Sequence, residues 1–200
     1  MNDASSLFYN RYLVTPASRG LRCAFTGHRP QKLPFGFDEE DERCRDFKRR
    51  LRETLVELIG KGYTHFLSGG ALGMDMWAAE AVLELKGDCP YLLLEMVSPF
   101  DGQARRWDTL SRERHERLFA LADIVTATGH HFSPYCMHRR NRYLADNADL
   151  LLAAYDGTPG GTAETVAMAR ALGVPVRILP PVERELPLLE NLKSGRSGSI

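Results

Sequence analysis

The sequence lacks the features that would place it at once in a membrane or disulfide-rich class. The sequence has four cysteines and no CxxC motif among them: Cys23, Cys44, Cys89 and Cys136. This pattern favours reduced thiols in a cytosol. No apolar run approaches the roughly 20 residues that are needed to span a bilayer. We therefore expect a soluble, cytoplasmic protein without a membrane partner.

An excess of charge of either sign is also missing. The 26 Lys and Arg residues balance 26 Asp and Glu residues, so the formal net charge is zero. No overall field would hold such a protein to nucleic acid or to an anionic membrane. Nucleic acid is therefore not an expected partner, and any anion site must be local.

Familiar catalytic signatures are absent as well. No GK[ST] follows the glycines, there is no GxSxG, and no convincing Cys and His nucleophile pair occurs. The histidines His130, His131 and His138 have no carboxylate at ligand spacing. We predict no metal site and no required cofactor.

Short apolar runs that alternate with helical patterns are the main signal for the fold. Continuously apolar strands separated by helices indicate a parallel sheet that is covered on both faces. With 200 residues and 44% hydrophobic content, the chain fits one such domain. We predict a single Rossmann-like, doubly wound, mostly parallel α/β domain over 21–180, with an N-terminal tail at 1–20 and a C-terminal tail at 181–200. The predicted strands are 21–26, 65–68, 91–97, 123–128, 150–155 and 174–179, and the predicted helices are 39–61, 73–85, 102–121, 137–147 and 161–172.

Two glycine-bearing turns, SGGALGMD and DGTPGGT, each follow a predicted strand and open a predicted helix. Glycine permits close approach of the backbone to a ligand, and the first N–H groups of a helix attract negative charge. Since the carboxyl ends of parallel strands share one edge of the sheet, the two turns predict one shared nucleotide pocket. The ligand-binding candidates in them are Ser68, Gly69, Gly70, Gly73, Asp75, Asp156, Gly157, Gly160, Gly161 and Thr162.

Two further segments are expected at the same edge. TGHRP follows the first strand and contributes Thr26, Gly27, His28 and Arg29, of which the basic pair could meet a phosphate. MHRRNR contributes Arg140 as a charge and Asn141 as an amide that could read a ribose or a base. Surface turns and solvated arginines are the structural alternative for both segments.

Together, TGHRP, SGGALGMDMWAAE and RRNRYLADNADLLLAAYDGTPGGTAETVAMARALGVPV resemble the SLOG superfamily over about residues 21–180. These Rossmann-like proteins include DprA, the LOG cytokinin-activating enzymes and the YpsA-like branch, which is the closest in likeness. The resemblance implies a bound nucleotide or nucleotide-derived ligand, such as one of the ADP-ribose type. It implies no settled enzymatic activity.

The LOG branch adds a catalytic alternative. Its enzymes cleave the N-glycosidic bond of nucleoside monophosphates with an arginine and with a glutamate from a PGGxGTxxE loop. Arg140 stands at the matching place, but Thr165 occupies the expected glutamate position and Glu164 lies one residue early. One residue on a helix is a turn of about 100°, which would aim the carboxylate elsewhere. The catalytic candidates are therefore Glu164, Asp75 and Arg140, and enzymatic activity stays open.

Three hypotheses follow from the sequence. The first is a nucleotide-binding sensor or regulatory module, and the second is a nucleotide N-glycosidase of the LOG kind. The third is a protein-interaction module, such as a homodimer, in which the glycine loops are only turns. A DNA-binding role like that of DprA is the weakest, because the balanced charge supplies no evident basic groove.

Overall fold

The computed structural model describes residues 20–182, and nearly all of the two predicted tails lies outside them. Six parallel strands form one sheet in the order β4-β3-β2-β1-β5-β6. They are β1 (Leu21–Gly27), β2 (Tyr63–Ser68), β3 (Leu93–Ser98), β4 (Ile124–Ala127), β5 (Leu150–Ala154) and β6 (Val176–Ile178). The helices are α1 (Glu42–Gly60), α2 (Met74–Leu85), α3 (Thr109–Leu121), α4 (Cys136–Asp146) and α5 (Gly161–Ala171), with a 3-10 turn at Pro30–Lys32. The Rossmann-like prediction is confirmed.

Helices cover both faces of the sheet because successive strand residues point to opposite sides. Phe25 and Phe66 pack with the buried residues of α1 and α2 on one face, and their rings stack 5.9 Å apart. On the other face, Leu67 packs with Leu144 of α4 and Val166 of α5. β5, which reads LLLAA, is buried along its whole length. The sheet is therefore the centre of two hydrophobic layers.

The direction of winding changes between β1 and β5. From β1 the chain winds outward through β2 and β3 to β4, and then returns to place β5 on the other side of β1. At such a switch point the connections after the two neighbouring strands leave toward opposite faces, and a crevice opens at their carboxyl ends. The segments after β1, β2 and β5 therefore surround this crevice.

The helix predicted over 102–121 is shorter than expected and begins at Thr109. The Asp108 carboxylate caps it by accepting a hydrogen bond from the Ser111 N–H at 2.9 Å. Residues 101–107 form turns instead, and Gln103 and Ala104 are buried within them. The helix predicted over 39–61 also begins later, at Glu42. Asp41 is its N-cap, and the Asp41 side chain accepts a hydrogen bond from the Arg43 N–H.

A buried polar cluster lies beneath α4, on the sheet face opposite α1 and α2. Glu95 on β3 accepts hydrogen bonds from the hydroxyls of Tyr143 and Thr126, each at 2.8 Å, and lies 2.9 Å from Nε2 of His65. Burial raises the pKa of Glu95, but these three partners outweigh it and lower that pKa below its usual range. The cluster ties α4 to β2, β3 and β4.

Within residues 20–182, no helix is both long enough and apolar enough to cross a membrane. Cys23, Cys44, Cys89 and Cys136 are free thiols, and three of them are buried.

Candidate functional site

The first glycine loop closes on itself at the carboxyl end of β2. The buried Ser68 hydroxyl donates to the Asp75 carbonyl oxygen at 2.7 Å and accepts from the Gly70 N–H at 3.2 Å. Gly73 has φ of +89°, and a Cβ there would lie 2.9 Å from the His28 carbonyl oxygen. Only glycine fits that position, so α2 begins without a capping side chain. No side chain caps its first turn, in which the Met76 N–H donates to the Gly73 carbonyl oxygen at 3.1 Å.

Arg140 and Asp75 form an ion pair in the interior of this region. Nη1 of Arg140 lies 3.1 Å from Oδ2 of Asp75, and the two side chains are only 7% and 5% exposed. The Ala71 N–H donates to the same carboxylate oxygen at 3.3 Å. Burial raises the pKa of Asp75, although Arg140 and the more distant Arg29 act in the opposite direction. The pair thus joins α4 to the first glycine loop across the sheet edge.

The guanidinium of Arg140 is only partly satisfied by this pair. Its Nε is buried and has no hydrogen-bond partner within the described residues. The guanidinium also lies directly against Gly69, where an added Cβ would meet Nη1 at 1.5 Å. Gly69 therefore makes room for an arginine of the same chain, a role that its sequence context did not predict.

The TGHRP segment links the two glycine loops. Nε2 of the buried His28 lies 2.7 Å from Oδ1 of Asp156, which also accepts from the Thr158 N–H at 2.9 Å. The Thr158 N–H is the main cause that holds the pKa of Asp156 well below its usual range, and His28 adds to it. Lys32 Nζ donates to the Pro159 carbonyl oxygen at 2.7 Å. The structure thus brings both loops to one edge, around the end of β1.

The second glycine loop opens α5 in the same uncapped manner as the first opens α2. Gly160 is the N-cap and provides no side-chain cap, while Gly161 is exposed and Thr162 is buried. Glu164 is exposed, whereas Thr165 is fully buried and donates its hydroxyl to the Gly161 carbonyl oxygen at 2.8 Å. The two side chains thus face different environments, as the turn of about 100° between neighbouring helix residues requires.

The remaining sequence candidates differ in their exposure. Thr26 is buried in β1, and Gly27 is packed against Met74 and Ala154, which leaves no space for a side chain. Arg29 and Gly157 are exposed, and Asn141 is half-buried on α4 next to Arg140. Thr26 and Gly27 therefore shape the edge through packing, whereas Arg29 is open to a ligand in solvent.

Two further residues, Gln103 and His115, border the first glycine loop, and neither is among the candidates predicted from the sequence. Gln103 Nε2 donates to the Gly69 carbonyl oxygen at 3.2 Å, and its Oε1 is buried with no hydrogen-bond partner among residues 20–182. His115 of α3 stacks on Phe119 at 4.3 Å and meets the edge of Trp107 at 5.2 Å. Gln103 could have been suspected, since it lies five residues after Ser98, where β3 ends at the same edge of the sheet. His115 carries no comparable signal, because it lies inside a charged helical run.

Residues 23–171 match the model of the YspA SLOG family. The chain belongs to this family. A UPF0398 protein of Bacillus pumilus is 34% identical over 141 residues, which cover 70% of this chain and 75% of that relative. The UPF0398 protein YpsA of Bacillus subtilis is 31% identical over 150 residues, covering 70% and 83%. The resemblance found in the sequence is confirmed.

Solved structures share the fold of this YspA SLOG family member. DNA processing protein A of Helicobacter pylori, whose structure is described for its single-stranded DNA binding mode, superposes with a TM-score of 0.59 at 20% identity, over 83% of this chain and 67% of that one. DprA of Streptococcus pneumoniae gives a TM-score of 0.53 at 17% identity, over 80% of this chain and half of that protein. At these identities the similarity shows a common architecture.

Proposed function

We propose that this protein binds a nucleotide or a nucleotide-derived ligand at the carboxyl edge of the sheet, as a sensor or regulatory module. The observation that carries the proposal is the unpartnered Nε of the buried Arg140. A buried polar group without a hydrogen bond costs about 1–3 kcal/mol, and more when the group is charged. An anionic ligand would supply the missing acceptor, and a phosphate suits the fork of an arginine.

The backbone around Arg140 favours the same kind of ligand. α2 and α5 both begin at a glycine with no side-chain cap, so no side chain competes with an anion for the N–H groups at the start of either helix. The N–H groups of Gly70 and Ala71 are already used inside the first loop. We therefore assign phosphate binding to Arg140, to exposed Arg29 and to the N–H groups of Gly161 and Thr162.

A thermal-shift screen tests this proposal with nucleoside mono-, di- and triphosphates, NAD, ADP-ribose and cyclic nucleotides. A ligand at about 100 times its dissociation constant stabilises a fold by roughly 2.7 kcal/mol, which moves the melting temperature of a domain of this size by several degrees. We expect such a shift with at least one of these compounds. No shift with any of them would refute the proposal.

Two conservative variants on α4 connect the shift to the site. Arg140→Lys keeps a positive charge beside Asp75 but removes the Nε donor, so nucleotide affinity should fall at least tenfold. Arg142→Lys is the matched control, because Arg142 is exposed and pairs with Asp146 on its own helix. Equal affinity loss in both variants would show that Arg140 has no special role.

Cleavage of the N-glycosidic bond is the second candidate function, and the buried Asp75 with its raised pKa is the observation that favours it. Each screening mixture is therefore also checked by chromatography for released base. Release that is lost in Glu164→Gln or Asp75→Asn, with binding retained, would establish a glycosidase. A melting shift without any release supports the sensor function.

Other outcomes of the same screen separate the remaining hypotheses. Phe132 and Tyr135 are each 73% exposed near Arg139, an arrangement on which single-stranded bases can stack. A strongly salt-dependent affinity for an oligonucleotide, with no shift from mononucleotides, would favour the DNA-binding alternative. A protein that responds to neither would be the interaction module.

A further inference from the structure

Buried polar atoms without partners are concentrated around the first glycine loop. Within residues 20–182, Gln103 Oε1, His115 Nε2 and Arg140 Nε are three buried side-chain atoms that have no hydrogen-bond partner. All three side chains flank the Gly69–Gly70 turn. Native structures rarely leave such atoms unpaired, so three around one turn indicate a place where a ligand completes the bonding. Arg140 has been assigned to phosphate, which leaves Gln103 and His115.

The hydrogen-bonding character of Gln103 is fixed by its neighbour. Its amide nitrogen donates to the Gly69 carbonyl oxygen, and the opposite amide orientation would place two acceptors against each other. Oε1 is consequently the free end, and it is an acceptor. The ligand group that satisfies it must carry an N–H or O–H donor.

His115 offers a second polar atom next to a flat apolar wall. Burial lowers its pKa to about 4, so the imidazole is neutral near pH 7 and its Nε2 can donate as one tautomer. Phe119 stacks on the ring and Trp107 meets it edge-on. A Cβ on Gly70 would lie 3.5 Å from Cδ2 of His115 and 2.9 Å from Cε2 of Phe119, so this wall borders the same turn as Gln103.

We propose that Gln103 and His115 form a subsite that reads the nucleobase of the ligand. Oε1 of Gln103 accepts from a base N–H, and Nε2 of His115 donates to an acceptor of the base. Both atoms are buried beside the turns of 101–107, which contain Gln103 and place Trp107 edge-on to His115. This inference rests on the proposed function and narrows it to ligands that carry a base with an N–H donor and an acceptor.

Three probes separate base reading from phosphate binding. AMP carries both a phosphate and a base with an N–H donor, purine riboside 5′-monophosphate lacks that donor, and ribose 5-phosphate lacks the base. Dissociation constants measured by calorimetry should be at least about fivefold lower for AMP than for either of the other two, since one unsatisfied buried acceptor costs about 1–3 kcal/mol.

Substitutions that preserve shape test the two residues directly. Gln103→Met and His115→Phe remove the polar atoms while keeping comparable volume, and either variant suffices if the other does not fold. Each should reduce the preference for AMP to below threefold and leave the affinity for ribose 5-phosphate within twofold. His131→Phe is the matched control, because His131 is exposed, and it should retain the full preference.

The outcomes distinguish this inference from the proposed function. Equal affinity of the unmodified protein for AMP and ribose 5-phosphate, or a preference that both variants retain, overturns the base subsite and leaves phosphate binding standing. If the protein binds none of the three probes and responds to no nucleotide in the screen, both proposals fail. Loss of ribose 5-phosphate binding in Gln103→Met and His115→Phe would also overturn the division into two subsites.

Discussion

Gly69→Ala is the sharpest test of the site geometry. A Cβ at this position would lie 1.5 Å from Nη1 of Arg140, 2.4 Å from its Cζ and 2.9 Å from Oδ2 of Asp75. The guanidinium must therefore move, and its buried contact with Asp75 must break. Removing one partner of a buried ion pair costs about 3–5 kcal/mol. Because the arginine side chain can rotate partly toward solvent, we expect a loss in the free energy of unfolding at the lower end of this range, about 3 kcal/mol.

The loss can be measured by urea unfolding, followed through tryptophan fluorescence, and by thermal denaturation. For a domain of this size about 3 kcal/mol corresponds to a fall in melting temperature of about 6–12 °C. Gly60→Ala is the matched control, since Gly60 ends α1 and has no neighbour within 4 Å of an added Cβ. It should leave stability unchanged or raise it by up to about 1 kcal/mol.

A double-mutant cycle identifies the cause of the loss. If the clash with the guanidinium dominates, Gly69→Ala should cost less than half as much in an Arg140→Ala background, where Nη1 and Cζ are gone. A free energy of unfolding for Gly69→Ala within about 0.5 kcal/mol of that of the unmodified protein would refute this prediction. The same destabilisation by Gly69→Ala in both backgrounds would also refute it.

Three further perturbations follow from the contacts described above. Tyr143→Phe removes a 2.8 Å hydrogen bond to the buried Glu95 carboxylate and should lower the free energy of unfolding by about 2 kcal/mol in urea titrations. Stability should fall as the pH drops from about 6.5 to about 4. In this range His115 is protonated in the unfolded chain but stays neutral in the folded protein, where its pKa is about 4, so acid favours unfolding. This contribution is at most about 3 kcal/mol, and a His115→Phe variant with an unchanged pH profile would contradict it. Lys32→Met removes an exposed contact to Pro159 and should cost less than about 1 kcal/mol, so a larger loss in thermal denaturation would mean that this lysine holds the second glycine loop in place.

Much of the fold was predictable because its signals are local. LLLAAY is apolar without alternation, as a strand buried on both faces must be, and SGGALGMD and DGTPGGT each mark the end of a strand and the start of a helix. The same logic placed the two glycine loops and TGHRP at one edge of the sheet. It overextended the helix of 102–121, because the charged and polar residues of 102–108 fit a helical pattern while tertiary contacts bury Gln103 in a turn.

The details of the site depended on contacts between distant segments. Arg140 meets Asp75 across 65 positions of the chain, Gln103 meets Gly69 across 34, and His28 meets Asp156 across 128. No local pattern encodes such partners, so the sequence did not indicate that Arg140 fills the space beside Gly69, and ligand binding by Gly69 stays a prediction. It also gave no indication that His115 would be buried beside that turn.

The sequence by itself determined the layers, the chain reversals and the edge at which polar groups collect, because hydrophobic periodicity and glycine turns act over a few residues. Only the tertiary structure decided which polar atoms are satisfied and which remain unpaired. That distinction depends on burial and on distances between side chains from different elements, and it is what separates Arg140, Gln103 and His115 from the many other polar residues of the chain.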